Sequence, residues 1–153
     1  MNNIKEIEQV LETEGVFVST TVGTSMYPML RNRRDTIVVK KAIGRLKKYD
    51  VPLYKKGDSY VLHRVMEVLP DSYIIRGDNC DQKEYGITDD QILGVLEEFY
   101  RGDKKVRLDS RRYQAYVRFY CACTPIWWTV RMGRRVLGKI GRIFKRREKK
   151  PCV

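Results

Sequence analysis

The N-terminus lacks the apolar run of a secretory signal. Residues 1–14 carry Glu6, Glu8, Glu12 and Glu14 and no hydrophobic stretch of signal-peptide length. Long charge-free runs are also missing: the longest, Phe119–Val130, has 12 residues, too few to cross a bilayer as a helix. Extending it back to Tyr113 admits Gln114 and Arg118 and encloses Pro125, which disfavours a span there. Cysteine is sparse and scattered (Cys80, Cys121, Cys123, Cys152), with no export signal to place it in an oxidising compartment. Cys121-x-Cys123 is the one close pair, and no histidine or second pair lies near it to complete a zinc site. Buried or interfacial thiols are therefore expected, and no metal or other cofactor. With 11 Gly and 5 Pro among 153 residues, collagen-like and low-complexity classes are excluded, and the length suits one core.

Acidic residues are scarce in one region only. Residues 1–100 hold 14 Lys and Arg against 16 Asp and Glu, whereas residues 101–153 hold 17 against 3. The body is nearly neutral, and the whole basic excess lies in the C-terminal third. A charge of +12 spread evenly would suggest a nucleic-acid binder; confined to a tail, it does not.

Ile4, Ile7, Val10 and Leu11 share one face of a helix over residues 4–13, with Asn2 or Asn3 to cap it and Gly15 to stop it. Strands are expected at Val16–Val22, Asp35–Lys41, Val51–Tyr54, Tyr60–Val68, Ser72–Arg76, Gln91–Tyr100 and Lys104–Leu108. Leu69-Pro70-Asp71 joins two of these as a hairpin, and residues 80–90 read as a polar loop. The fold class is thus mostly β over a domain of residues 1–108. Residues 109–153 form a basic tail, with Tyr116, Val117, Tyr120 and Cys121 and later Val136, Leu137, Ile140, Ile143 and Phe144 at helical spacing. Apolar residues on one face and Arg and Lys on the other suit an anionic lipid surface better than nucleic acid.

Two residues stand out chemically. Ser25 lies in the turn Gly23-Thr24-Ser25-Met26-Tyr27-Pro28 just after a strand, and His63 is the only histidine. Turns favour serine anyway, and a lone strand histidine is more often structural. Together they offer more: a serine hydroxyl needs an adjacent base, neutral imidazole suits that task near pH 7, and a carboxylate would orient the ring.

At this point the residues resemble type I signal peptidases. Gly23-Thr24-Ser25-Met26-Tyr27-Pro28-Met29-Leu30 is similar to the nucleophile box G-x-S-M-x-P-x-L of that family, and Asp35-Thr36-Ile37-Val38-Val39 to the strand after it. Leu46-Lys47-Lys48-Tyr49-Asp50-Val51 resembles the L-K-x-G-D-V turn. Val61-Leu62-His63-Arg64-Val65-Met66-Glu67-Val68 resembles the H-R-V-x-x-V strand of archaeal, endoplasmic-reticulum and sporulation-type members, which use His where most bacterial enzymes use Lys. Ile75-Arg76-Gly77-Asp78-Asn79 resembles the x-K-G-D-N box, and Ile92-Leu93-Gly94-Val95 the closing V-x-G-x-V strand. The likeness covers about residues 18–96, in the family's order.

The resemblance implies a serine endopeptidase on the open β fold shared with LexA-like self-cleaving repressors. It implies Ser25 as nucleophile, His63 as general base and Asp78 in the Gly-Asp-Asn box. The Ser25 amide becomes the oxyanion donor, with Gly23 letting substrate approach the main chain. A further carboxylate orients the base in His-type members: the count from Asp78 points to Glu84, while the Asp-Asp pair favours Asp89 or Asp90. The implied partner is a protein or leader peptide bound as an added strand. Three positions depart from the family: an acidic Ile4–Leu11 helix replaces its N-terminal anchor, Tyr49 replaces the turn glycine, and Cys80 replaces a second Asn. The expected location is the cytoplasmic side, peripheral to the membrane through the tail, with a single C-terminal span as the alternative. The competing functional reading is a lapsed peptidase fold serving as an interaction or regulatory module.

Overall fold

β-Branched runs separated by Gly- and Asp-bearing turns dictate short antiparallel strands, and the computed structural model contains nine of them among residues 3–124, which it describes. Helix α1 spans Asn3–Thr13 and stops at Gly15, whose φ of 73° is easily reached only without a Cβ. Strands β1 (Val16–Thr20), β2 (Asp35–Lys41), β3 (Pro52–Lys56), β4 (Ser59–Leu62), β8 (Ile92–Arg101) and β9 (Lys104–Arg107) form one sheet in the order β1-β2-β8-β3-β4, with β9 also on β8. Strands β5 (Arg64–Val68), β6 (Tyr73–Arg76) and β7 (Glu84–Ile87) form a second. Every pairing is antiparallel. The fold is mostly β, with a short helix at each end of the described chain.

The strand expected over Tyr60–Val68 divides at His63. Its first half pairs with β3 and its second with β6, so the chain passes from one sheet to the other at that residue. The burial pattern gives the reason. His63, Arg64 and Val65 are buried in succession, whereas one strand with a wet face buries alternate residues. The expected loop at 80–90 also holds structure: β7, then the 3-10 turn Asp89–Gln91. Only Ile87 of β7 is buried, so no alternating pattern announces this edge strand. Strand β1 ends at Thr20, two residues before the expected Val22.

Leu46, Tyr54, Val65, Tyr73, Ile75 and Ile87 form a core to which both sheets contribute. Withdrawing such side chains from water contributes roughly 1.5–3 kcal/mol each, and the same packing fixes the backbone around His63. The chain forms two compact units, Met1–Tyr113 and Gln114–Val153. Helix α2 occupies residues 111–124, with the Ser110 hydroxyl accepting from the Tyr113 amide at its start (3.3 Å). Among the described residues no helix is long and apolar enough to cross a membrane. The tail beyond 124, with Trp127, Trp128 and the Val136–Phe144 stripe, lies outside the described residues.

Candidate active site

Ser25 sits half-buried in the loop between β1 and β2, and hydrogen bonds fix that loop at several points. Tyr27 donates its amide to Thr24 O (3.2 Å), Leu30 to Met26 O (2.8 Å), and Gly23 to the Asn32 side chain (2.9 Å). Gly23 has a φ of 99°, and nothing lies within 4 Å of where a Cβ would stand. The main chain before Ser25 is thus open to an approaching chain.

The Gly77-Asp78-Asn79 turn closes onto this loop. The Asn79 amide donates to Ser25 O (2.7 Å), and the Asn79 side chain to Thr24 O (3.2 Å). A Cβ added at Gly77 would stand 2.9 Å from Ser25 O, 2.9 Å from His63 Nε2 and 2.7 Å from Cys80 Sγ. The Ser25 backbone and the distal imidazole nitrogen are therefore no more than twice 2.9 Å apart. Glycine at 77 is what lets the three segments meet.

The other ring nitrogen faces Glu84. His63 Nδ1 lies 3.1 Å from Glu84 Oε1 and 3.1 Å from the Tyr54 hydroxyl. Lys56 Nζ contacts Glu84 Oε2 at 2.7 Å. Burial alone would raise the Glu84 pKa, but the bonds from Lys56 and Tyr54, with the Lys56 and His63 charges, hold it below the ordinary carboxylate range. Burial is the largest influence on His63; it outweighs the Glu84 charge and hydrogen bond and leaves the imidazole below its usual pKa. The ring is neutral at pH 7. An ionised carboxylate only accepts, so with Glu84 as its partner Nδ1 is the nitrogen suited to carry the proton, which would leave Nε2 bare on the side of Ser25.

Glu84 is thus the one of the three candidate carboxylates that the fold brings to His63. Asp89 meets Arg45 (3.0 Å) and the Tyr73 hydroxyl, and Asp90 meets the Thr88 hydroxyl. Asp78 engages Arg64: Nε to Oδ1 at 2.8 Å and Nη2 to Oδ2 at 2.7 Å, both side chains buried. Its charge acts on the His63 ring less than those of Glu84 and Lys56. Arg64 also donates to Tyr49 O (3.2 Å), the Tyr113 hydroxyl (2.8 Å) and Met29 Sδ (3.0 Å), so it ties the Ser25 loop to the segment that bears His63.

Tyr54 and Lys56 escape sequence reasoning. The sign was faint: the turn Lys55-Lys56-Gly57-Asp58 sets the β3–β4 register, pairing Leu53 with Leu62 and leaving His63 just past the strand end, near Tyr54. Cys80, which stands in place of a second Asn, lies against the same turn; burial and the charges of Glu84 and Asp81 push its thiol pKa up. Among the described residues no group of His, Cys, Asp and Glu is arranged to hold a metal. No family model matches the chain, and no curated protein matches it.

Proposed function

We propose that the chain is a serine endopeptidase of the signal peptidase I-like type, with Ser25 as nucleophile and His63 as general base. The observation that carries this reading is the meeting at Gly77 of the Ser25 backbone and His63 Nε2, with Glu84 on the opposite ring nitrogen. Separate segments of sequence supply the three parts. Tyr49 adds support: it occupies the position of the family's turn glycine, and its φ of 78° is one that glycine adopts readily.

In this reading Nε2 takes the Ser25 hydroxyl proton as Oγ bonds to the carbonyl carbon of an extended protein or leader-peptide substrate. The negative charge moves to the carbonyl oxygen, facing the Ser25 amide. Collapse breaks the C–N bond, and the imidazolium returns its proton to the departing amine. Water, deprotonated by the same nitrogen, then releases the acyl group and restores Ser25. Glu84 stabilises the imidazolium in both halves.

The test is labelling with a fluorophosphonate serine probe. Wild type is expected to label, and Ser25→Ala and His63→Ala, folded by circular dichroism, are not. Equal labelling of either variant overturns the assignment. The tail belongs to the same proposal: it would hold the enzyme reversibly on an anionic membrane surface at the cytoplasmic side.

A further inference from the structure

The Tyr54 hydroxyl is out of place in its surroundings. The ring is fully buried in the core with Leu46, Val65, Tyr73, Ile75 and Ile87, where phenylalanine would fill the same space without a polar group to satisfy. Burying a hydroxyl is costly unless it is hydrogen-bonded. This one stands 3.1 Å from His63 Nδ1, the same nitrogen that Glu84 Oε1 approaches at 3.1 Å, and it lowers the Glu84 pKa. Burial first, then the Glu84 charge, keep its pKa far above the ordinary phenol range, so it remains a donor.

Two proton arrangements compete at this junction. In one, Tyr54 donates to Nδ1, the ring proton sits on Nε2, and Glu84 faces a lone pair. In the other, both Nδ1 and Tyr54 donate to Glu84. An ionised carboxylate has no proton to give, so the first sets two acceptors against each other, while the second gives every donor an acceptor. Lys56 occupies the other carboxylate oxygen, but its side chain is 58% exposed, and water can replace it. The Tyr54 hydroxyl has no such substitute. It comes from β3 in one sheet, Glu84 from β7 in the other, and His63 from the point where the chain passes between them.

We propose that Tyr54 is a positioning residue: its hydroxyl pins Glu84 against His63 Nδ1 and so selects the imidazole tautomer whose Nε2 is bare toward Ser25. This rests on the peptidase reading for its catalytic consequence, but the tautomer is observable without turnover. His63 is the only histidine, so long-range proton–nitrogen NMR of the full chain reports this one ring. The groups facing it are Glu84 from β7, Tyr54 and Lys56 from β3, and Asp78 and Cys80 from the turn after β6.

At neutral pH the wild type is expected to show the Nδ1–H form, and Tyr54→Phe a mixture with Nε2–H. In peptide cleavage Tyr54→Phe is expected to lower kcat about tenfold, the scale of one hydrogen bond to a charged group, with KM nearly unchanged. In a Glu84→Gln background the same substitution is expected to add nothing, because the group it positions is gone. An Nε2–H wild type, an unchanged tautomer in Tyr54→Phe, or full additivity with Glu84→Gln overturns the proposal. A wild type that shows the Nδ1–H form but does not label with the serine probe removes the peptidase reading instead.

Discussion

Arg64 and Asp78 form a doubly hydrogen-bonded, buried ion pair, and each is the chain neighbour of a residue that meets at the site: His63 for Arg64, Gly77 for Asp78. The pair fixes the spacing between His63 and the turn that holds the Ser25 carbonyl. Removing the carboxylate leaves an uncompensated guanidinium in the interior, which costs about 3–5 kcal/mol. Urea unfolding of Asp78→Ala is expected to show that loss. Asp78→Asn is expected to lower activity per folded molecule more than Asp89→Asn or Asp90→Asn, whose side chains bond elsewhere. Equal activity across the three would leave Asp78 a purely structural role.

The pH dependence follows from the direction of the His63 shift. Burial holds the folded imidazole below its ordinary value of 6.5, so cleavage is expected to rise through a single ionisation below that pH and then level off. Stability changes with the same sign. The unfolded chain binds the proton more tightly than the folded one, so the His63 contribution is complete above pH 6.5 and is lost as the pH falls through the folded value. Glu84, with its pKa lowered, adds a further loss in more acid solution, below its ordinary 4.5. Denaturation of wild type and His63→Gln across this range separates the two. A rate that rises only above about pH 8.5, toward the lysine range, would point to a lysine base.

Glu84→Gln is expected to cut kcat by roughly two orders of magnitude or more, since loss of the orienting carboxylate leaves the wrong tautomer populated. The amide can offer an N–H to Nδ1, which favours a proton on Nε2, where the base must be bare. Substrate binding is expected to change little, so KM against kcat distinguishes this from a general loosening. A Glu84→Gln enzyme at wild-type rate would remove the carboxylate from the mechanism.

Ser25 and His63 are legible as candidates because each sits in a short local pattern. Gly and Pro punctuate the turn that presents the serine, and a single imidazole is conspicuous in any sequence. The strands of the larger sheet are legible for the same kind of reason, β-branched and aromatic runs between turn residues being a local property. Glu84 was one of three open choices because its selection depends on β6–β7 pairing, and β7 carries one buried residue. Tyr54 reads as an ordinary core aromatic; only the passage of the chain between sheets at His63 brings its hydroxyl to the ring. That passage lies inside the run Tyr60–Val68, whose β-forming composition does not report which sheet each half joins.

The tail prediction rests on composition: 17 basic against 3 acidic residues after Tyr100, the Trp127-Trp128 pair and the Val136–Phe144 stripe. Each basic residue near an anionic surface contributes about 1 kcal/mol. The full chain is expected to sediment with phosphatidylserine vesicles at low salt and to be released at high salt. Replacing Arg134, Arg135, Lys139 and Arg142 with Glu is expected to abolish sedimentation. Resistance to salt and alkali would point to a span instead.

Gly77→Ala tests the geometry most directly. A methyl group there would stand 2.9 Å from His63 Nε2, 2.9 Å from Ser25 O and 2.7 Å from Cys80 Sγ, all closer than van der Waals contact allows. The Cys80 side chain can rotate away. The Ser25 carbonyl cannot move freely, because it accepts the Asn79 amide at 2.7 Å, and the imidazole is buried against Tyr54 and Glu84. The clash is therefore relieved by separating the Ser25 loop from the ring, which lengthens the proton-transfer distance. Overpacking of this kind costs about 1–3 kcal/mol of stability, and a misplacement near 1 Å lowers rates by about a hundredfold. The variant is expected to stay folded, with kcat down by that order. Gly77→Ala with Cys80→Ser should recover little, since the sulfur is not the obstacle. Wild-type turnover in Gly77→Ala would mean that Ser25 and His63 do not work across this contact.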